Sequence, residues 1–422
     1  MSRRRVVVTG VGAVAPGAAD AAALFANLAA GRSAVGPITR FDASGYPTRI
    51  AAEAREIPDS AGAAGLDRIA RLAFAAAEEA VADAGLRGGA PDPARAGVLV
   101  AAGLGSYGHD EVFASCAAAR LGPEFDGAAF TRTLAARIAP RSAERRTPGT
   151  IPALLARRFG FAGPAMTVMT ACAAGTQAIG DAARWIRSGA ADVVLAGGAD
   201  SELYPMGLAS FCLLGALSTR NDDPPRASRP FDAGRDGFVL GEGAGVLVLE
   251  ERGHALARGA RIRAEVAGFG SACDAFRVTD PHPDGEGAFL AMRRALDEAR
   301  LRPDQIGYVN AHGTSTVAND RAETRALRRL LGEATARVPV SSTKSMIGHL
   351  TVAAGAVEAI ATVLTLKTGT IPPTINLETN DPECDLDYVP NVARHARVEV
   401  ALSNSFAFGG QCASLVLARA EV

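Results

Sequence analysis

The chain has 422 residues, 48% hydrophobic and 21% charged, enough to bury a large core and more than one compact unit usually holds. A formal net charge of -1 gives no bulk attraction to nucleic acid or to an anionic membrane surface, so neither is expected as a partner. The six cysteines, Cys116, Cys172, Cys212, Cys273, Cys384 and Cys412, form no CxxC pair and no zinc-like spacing with histidine, which fits a reduced cytoplasmic protein without a metal.

The basic start precedes an apolar run, but Gly10, Pro16 and Asp20 interrupt it before a signal-peptide core is complete. Arg5 to Gly12 reads as a strand. Gly10, Gly12 and Ala15 match a permissive dinucleotide fingerprint, yet no second strand ending in an acidic residue follows at the required distance. The same glycine pair recurs at Gly268 and Gly270, and a repeated strand-exit turn accounts for both copies. Helical periodicity over Asp67 to Ala84 and a strand-like run over Ala96 to Ala101 come next. Arg132 to Arg158 holds Arg132, Arg137, Arg141, Arg145, Arg146, Arg157 and Arg158 with little strand signal. Such a segment reads as a solvated excursion or subunit interface, with a docking patch for an acidic partner as the sharper alternative.

Phe159 to Gly180 is uncharged but lacks the sustained apolarity of a membrane span. Within it, Val168 to Cys172 feeds a thiol into an Ala-rich helical pattern over Gly175 to Ser188. A sulfur at a helix N-terminus meets unpaired N–H groups and the positive end of the helix dipole, which favour a thiolate nucleophile. A strand over Ala191 to Ala196 and a glycine-edged apolar run over Phe238 to Leu249 follow, and Glu251 to Ala260 is the natural crossover between a half spanning 1–255 and a half spanning 256–422. Arg263 to Gly270 then resembles Arg5 to Gly12, and Phe406 to Leu417 resembles Phe238 to Leu249. With helical patterns over Ala288 to Arg300 and Ala353 to Lys367 and a strand over Ile306 to Asn310, the pattern predicts an α/β duplication with mixed sheets. His312 and His349 sit beside glycines at strand exits of the second half, where they can supply hydrogen-bond donors or a base near the thiol. His109, His254, His282 and His395 have no such setting.

Five ordered motifs carry a resemblance that runs from Val6 to Leu417. They are Thr170-Ala-Cys-Ala-Ala-Gly175, the run Arg229-Pro-Phe-Asp to Gly245, Asn310-Ala-His-Gly-Thr-Ser-Thr316, Lys344-Ser-Met-Ile-Gly-His349 and Asn404-Ser-Phe-Ala-Phe-Gly-Gly410. The chain resembles the elongating β-ketoacyl-acyl carrier protein synthases, including the ketosynthase subunits of polyketide pathways. That resemblance implies a thiolase-like duplicated α/β fold, layered α-β-α-β-α in two pseudo-symmetric halves. It implies that Cys172 takes an acyl chain from an acyl carrier protein, and that malonyl on a second carrier is decarboxylated and condensed with it. The backbone N–H groups of Cys172 and Phe408 would face the oxyanion, and His312 and His349 would hold the enolate. Lys344 would discourage protonation of those rings, whose other nitrogens need partners if both are to donate while neutral. Glu358 would pair with Lys344, and Asp320, after the first histidine motif, would support the site. Thr314 and Thr316 match positions that bind the pantetheine arm, and Ala407, Phe408, Gly409 and Gly410 form the gate. No cofactor beyond that carrier-borne arm is implied. The partners implied are an acyl carrier protein and either a second copy or a ketosynthase-like chain-length subunit.

Housekeeping fatty acid elongation is the alternative pathway, and a noncatalytic chain-length subunit is the alternative class; such subunits lack the cysteine this chain keeps. Lys344 and the paired histidines favour condensation over a coenzyme A-dependent thiolase. Five positions depart from the pattern. Ala407 stands for a gate glycine and should restrict the loop. Cys412 replaces an amide, Arg277 a common histidine and Gly215 a common arginine, and Ala63 to Asp67 lacks the usual basic residues. These changes predict a substrate range shifted away from saturated fatty acids, in a dedicated polyketide or polyene pathway. Carrier capture would then fall to other cations such as Arg68, Arg71, Arg220 or the Arg132 to Arg158 segment.

Overall fold

The computed structural model describes residues 4–420 apart from 61, 64, 89, 91, 104–108, 122–123, 138–146 and 148. Ten strands form one sheet: β1 (Val6–Val14), β2 (Ala96–Ala102), β3 (Ala165–Met166), β4 (Val193–Ser201), β5 (Glu242–Glu251), β6 (Ala264–Cys273), β7 (Tyr308–Asn310), β8 (Val340–Ser341), β9 (Val400–Phe406) and β10 (Gln411–Arg419). Their order is β8-β7-β9-β10-β6-β1-β5-β4-β2-β3. Every strand of the first half therefore has its counterpart, five numbers later, at the mirrored place in the order. The halves join where β1 meets β6 antiparallel, pairing Val7 with Glu265 and Val8 with Ala264.

Six helices complete the layers: α1 (Arg68–Asp83), α2 (Thr150–Phe159), α3 (Ala174–Ser188), α4 (Glu286–Ala299), α5 (Val317–Leu331) and α6 (Ala354–Thr368). Helices α1 and α2 cover the outer face of the first half, and α4 with its neighbour α5 covers the second. Between the halves lie α3 and α6, packed on strands of both. This is the α-β-α-β-α layering. Strands covered on both faces read as continuous apolar runs rather than alternating ones, and β4 is buried along its whole length. Inner position also explains α6, whose residues are buried all round from Ala354 to Leu366. The span Thr351–Thr368 is long and apolar enough to cross a bilayer, but 89% of it is buried inside the fold, as a core helix is.

The repeated glycines have a different cause from the one their spacing suggests. Gly10 and Gly12 lie inside β1, and Gly268 and Gly270 inside β6, not at strand exits. A Cβ on Gly10 or Gly12 would run into the carbonyl oxygens of Ala80 or Ala76 on α1, and one on Gly268 or Gly270 into those of Ala295 or Ala291 on α4. Both copies keep a bare strand face so that an Ala-rich helix can lie directly on it.

The crossover is the short helix Arg252–Ala257 between β5 and β6, and the 255/256 boundary falls within it. In the arginine-rich segment, a helix over Gly127–Arg137 exposes Arg132 and Arg137, and Arg158 at the end of α2 pairs with Glu78. Arg141, Arg145 and Arg146 lie outside the described residues.

Candidate active site

A one-turn helix, Ala171–Ala173, precedes α3, and Ala171 takes φ +46° to enter it. The turn sets Cys172 at the head of α3 with its Sγ toward the backbone N–H groups of Phe408 and of Cys172 itself. The second half repeats the device: Thr351 has φ +48°, the turn Thr351–Ala353 leads into α6, and the two helix starts abut. Gly175 permits the approach, since a Cβ there would lie 2.9 Å from Val352 O and Ala356 N.

The sequence argument expects a thiol eased toward thiolate. Instead, burial pushes the Cys172 thiol up to about 12, outweighing the pull of Lys344 and the two N–H groups, while the Asp200 carboxylate adds to the rise. The charged form loses more in desolvation than these donors return, which favours the thiol.

His312 follows β7, and its backbone N–H, with that of Gly313, donates to the Glu323 carboxylate at 2.9 and 2.8 Å. His349 is tied by its own N–H to Val239 O at 2.7 Å, and Gly348 turns the chain into it with φ +68° where a Cβ would press on that same oxygen. The rings stand edge to face, centroids 5.3 Å apart. Burial and Lys344 hold both imidazoles well below their ordinary range, and His349 adds to the effect on His312. Both are neutral. Their Nδ1 atoms are buried and meet no hydrogen-bond partner among the described residues, contrary to the pairing the sequence argument required. A proton is therefore most useful on Nε2, where a ligand can accept it. Lys344 Nζ is buried against the Glu358 carboxylate on α6.

Cys172, His312 and His349 line one cavity of about 340 Å³ with Thr314, Thr316 and Phe408. The two threonine hydroxyls lie 2.9 Å apart. At the gate, Gly409 and Gly410 carry the positive φ values, 86° and 78°, whereas Ala407 has none. Ala407 N donates to Gln411 O and Gly410 N to Ala407 O, so this turn accepts alanine without strain. Cys412 is buried and lines the cavity too.

Asp320 has a supporting place beside the site. It accepts from Phe231 N and Ser315 N and pairs with Arg235, bracing two residues of positive φ. The carboxylate under His312 is Glu323, which also accepts from Asn404 Nδ2 at 3.1 Å. Sequence reasoning missed it, although Glu323 lies on the buried side of α5 near Asp320 and Leu327. It also missed Asp200, at the end of β4, which accepts from Thr351 Oγ1 and Val352 N and so holds the head of α6. Burial and Glu202 push Asp200 up to about 7. Arg68, proposed as a free cation, is committed: both ends of its guanidinium meet the fully buried Glu242 at 2.6 Å.

Two family models match, the N-terminal domain of β-ketoacyl synthase over residues 3–255 and its C-terminal domain over 263–378. A 3-oxoacyl-[acyl-carrier-protein] synthase 2 from Synechocystis sp. is 42% identical over 98% of each chain. The tetracenomycin polyketide synthase ketoacyl synthase alpha subunit of Streptomyces glaucescens is 44% identical over 99% of this chain and 98% of its own. Among solved structures, a type II polyketide ketosynthase in complex with its acyl-carrier protein and bound to the hexaketide superposes with a TM-score of 0.89 at 34% identity, covering all of both chains. The chain belongs to the β-ketoacyl synthase family and is a condensing enzyme of the acyltransferase type.

Proposed function

We propose that this ketosynthase condenses an acyl chain held on Cys172 with malonyl carried by an acyl carrier protein, in a dedicated polyketide or polyene pathway. The observation that carries the reading is the convergence of Cys172, His312 and His349 on one cavity, with the Phe408 N–H on the sulfur.

In the first step the Cys172 sulfur attacks the carrier thioester, its proton leaves, and the carrier thiol departs protonated. The N–H groups of Cys172 and Phe408 stabilise the oxyanion. In the second, malonyl on a carrier loses carbon dioxide. Its enolate oxygen accepts hydrogen bonds from His312 and His349, kept neutral by burial and by Lys344, so they donate without surrendering a proton. The enolate carbon then attacks the acyl carbonyl, the bond to Cys172 sulfur breaks, and the 3-oxoacyl carrier leaves. Glu358 holds Lys344, Glu323 holds the His312 backbone, and Thr314 and Thr316 bind the pantetheine arm. Nothing in these steps calls for a cofactor besides that arm.

The pathway reading rests on Cys412 and Arg277 near the gate. A partner subunit, a second copy or a chain-length homologue, would extend the sheet at β3, an edge where Met166 and Met169 are exposed. Intact-mass measurement after exposure to carriers bearing saturated and polyunsaturated chains tests the reading. Wild type should gain the acyl mass, fastest from unsaturated chains, and Cys172→Ala should gain none. Preference for medium saturated chains would assign the enzyme to fatty acid elongation, and failure to acylate would refute condensation.

A further inference from the structure

The rim of the catalytic cavity carries exposed apolar side chains where cations were expected. Leu214 and Val317 line the cavity yet are 49% and 44% exposed, so both lie at its mouth. Their surroundings continue the pattern: Leu213, beside Leu214, is 89% exposed, Val278, beside the lining residue Thr279, is 77% exposed, and Phe276 is 44% exposed. Met206, one heptad before Leu213 on the helix Pro205–Leu213, shares its face and is exposed as well. Three separate segments thus reach the opening, each with an exposed large apolar side chain in its lining or directly beside it.

Positive charge is absent from the same lining, whose charged members are Asp236, Asp274 and Asp280. Among the described residues no lysine or arginine lines the cavity, and nearby Arg277 and Arg220 are answered by its aspartates, Arg277 by Asp280 at 3.2 Å and Arg220 by Asp236 at 3.8 Å. Isolated exposed apolar residues are ordinary, but a cluster encircling an active-site entrance marks a binding surface. Any substrate delivered on a protein must seat that protein here, because its arm has to enter at this mouth to reach Cys172.

We propose that the acyl carrier protein docks on this rim by apolar contact, with Leu213 and Val278 as its principal anchors, rather than by ion pairing. The proposal rests on the carrier-dependent reading above. Its occupant is a carrier presenting an apolar helix face around the base of its arm. Such docking is insensitive to salt, whereas capture of an acidic carrier by cations weakens steeply as ions screen it.

Steady-state acylation of Cys172 in the full-length protein tests this, with two donors: the acylated carrier protein and acyl-pantetheine, which has the arm but no protein. Leu213→Ala and Leu213→Lys should each raise KM for the acylated carrier by about tenfold, the scale of a lost anchor, and leave acyl-pantetheine acylation unchanged. Unchanged acyl-pantetheine reactivity also shows that the variants fold. Wild-type KM for the carrier should stay within about twofold up to roughly 0.3 M salt. A lower KM in Leu213→Lys, a KM climbing steeply with salt, or no effect of either substitution would overturn apolar docking while leaving condensation intact. A wild type acylated by neither donor would overturn condensation and this proposal together.

Discussion

Ala171 and Thr351 occupy equivalent points in the two halves, each with a positive φ, 46° and 48°, immediately before the helix that its half contributes to the inner layer. The duplication has built one elbow twice. In the first half the next residue is the nucleophile Cys172; in the second it is Val352, and the elbow instead donates to the Asp200 carboxylate. Gly175 and Gly355 leave out the β-carbons that would keep the two helix heads apart.

Gly175→Ala should therefore reach the site by way of packing. Its new methyl meets main-chain atoms of the other helix, which cannot step aside, and overpacking of this kind costs about 1–3 kcal/mol. Chemical denaturation should register that loss, and the rate of Cys172 acylation should fall with it. An unchanged midpoint together with full activity would mean that the helix heads do not depend on this contact.

Lys344→Met should destabilise by about 3–5 kcal/mol, because Glu358 is left as an unpaired buried carboxylate. Adding Glu358→Leu should restore much of the stability but not the decarboxylation of malonyl carrier. Denaturation curves and carbon dioxide release separate the structural part of the pair from its electrostatic service to the histidines.

Glu323→Gln keeps the shape of the side chain but replaces one acceptor oxygen with a donor beneath the N–H groups of His312 and Gly313. Condensation should slow by roughly tenfold, since a single positioning contact of this kind governs a preorganised donor, while Cys172 acylation stays near the wild-type rate. Glu323→Asp, which retains both acceptors, should recover part of the loss. Equal slowing of both half-reactions would reduce Glu323 to a fold-supporting role.

The two histidines have a signature in stability. Their folded pKa values lie far below the unfolded one, so the unfolded chain binds more protons below about pH 6.5. Stability from them is fully present above that pH and is lost as pH falls through it. Asp200 and Glu323, pushed up to about 7, and Glu358, also raised, act in the opposite sense over an overlapping window. Comparison isolates the histidine part: His312→Gln/His349→Gln should gain stability relative to wild type as pH drops from about 7 to about 5, by up to about 1.4 kcal/mol per pH unit for each ring. Parallel curves would mean the rings titrate in the folded enzyme as they do in the unfolded chain.

Much of this was legible in the chain because it is periodic or repeated. The strand-like runs, the α1 pattern from its cap Asp67, and the recurrence of Gly10 and Gly12 at Gly268 and Gly270 all follow from local spacing. What spacing cannot carry is which groups far along the chain, or on the main chain, a side chain meets. Glu323 was missed because the partners that tie it to His312 are main-chain N–H groups that leave no trace in residue identity, and Arg68 was misread because Glu242 lies far along the chain. The Cys172 thiol shows the same limit: a helix start argues for a lower pKa, and only burial decides that it rises. Ala407 looked restrictive for want of its backbone angle.

The most direct test is a single turnover. Enzyme carrying an acyl chain on Cys172 is mixed with malonyl carrier, and enzyme and carrier are weighed together by intact mass spectrometry. The enzyme should return to its unmodified mass as the carrier exchanges malonyl for the 3-oxoacyl chain, with both changes blocked in His312→Ala and His349→Ala although these variants still accept the acyl group. Release of the free acid from Cys172 without any gain on the carrier, or turnover that survives loss of both histidines, would contradict the account.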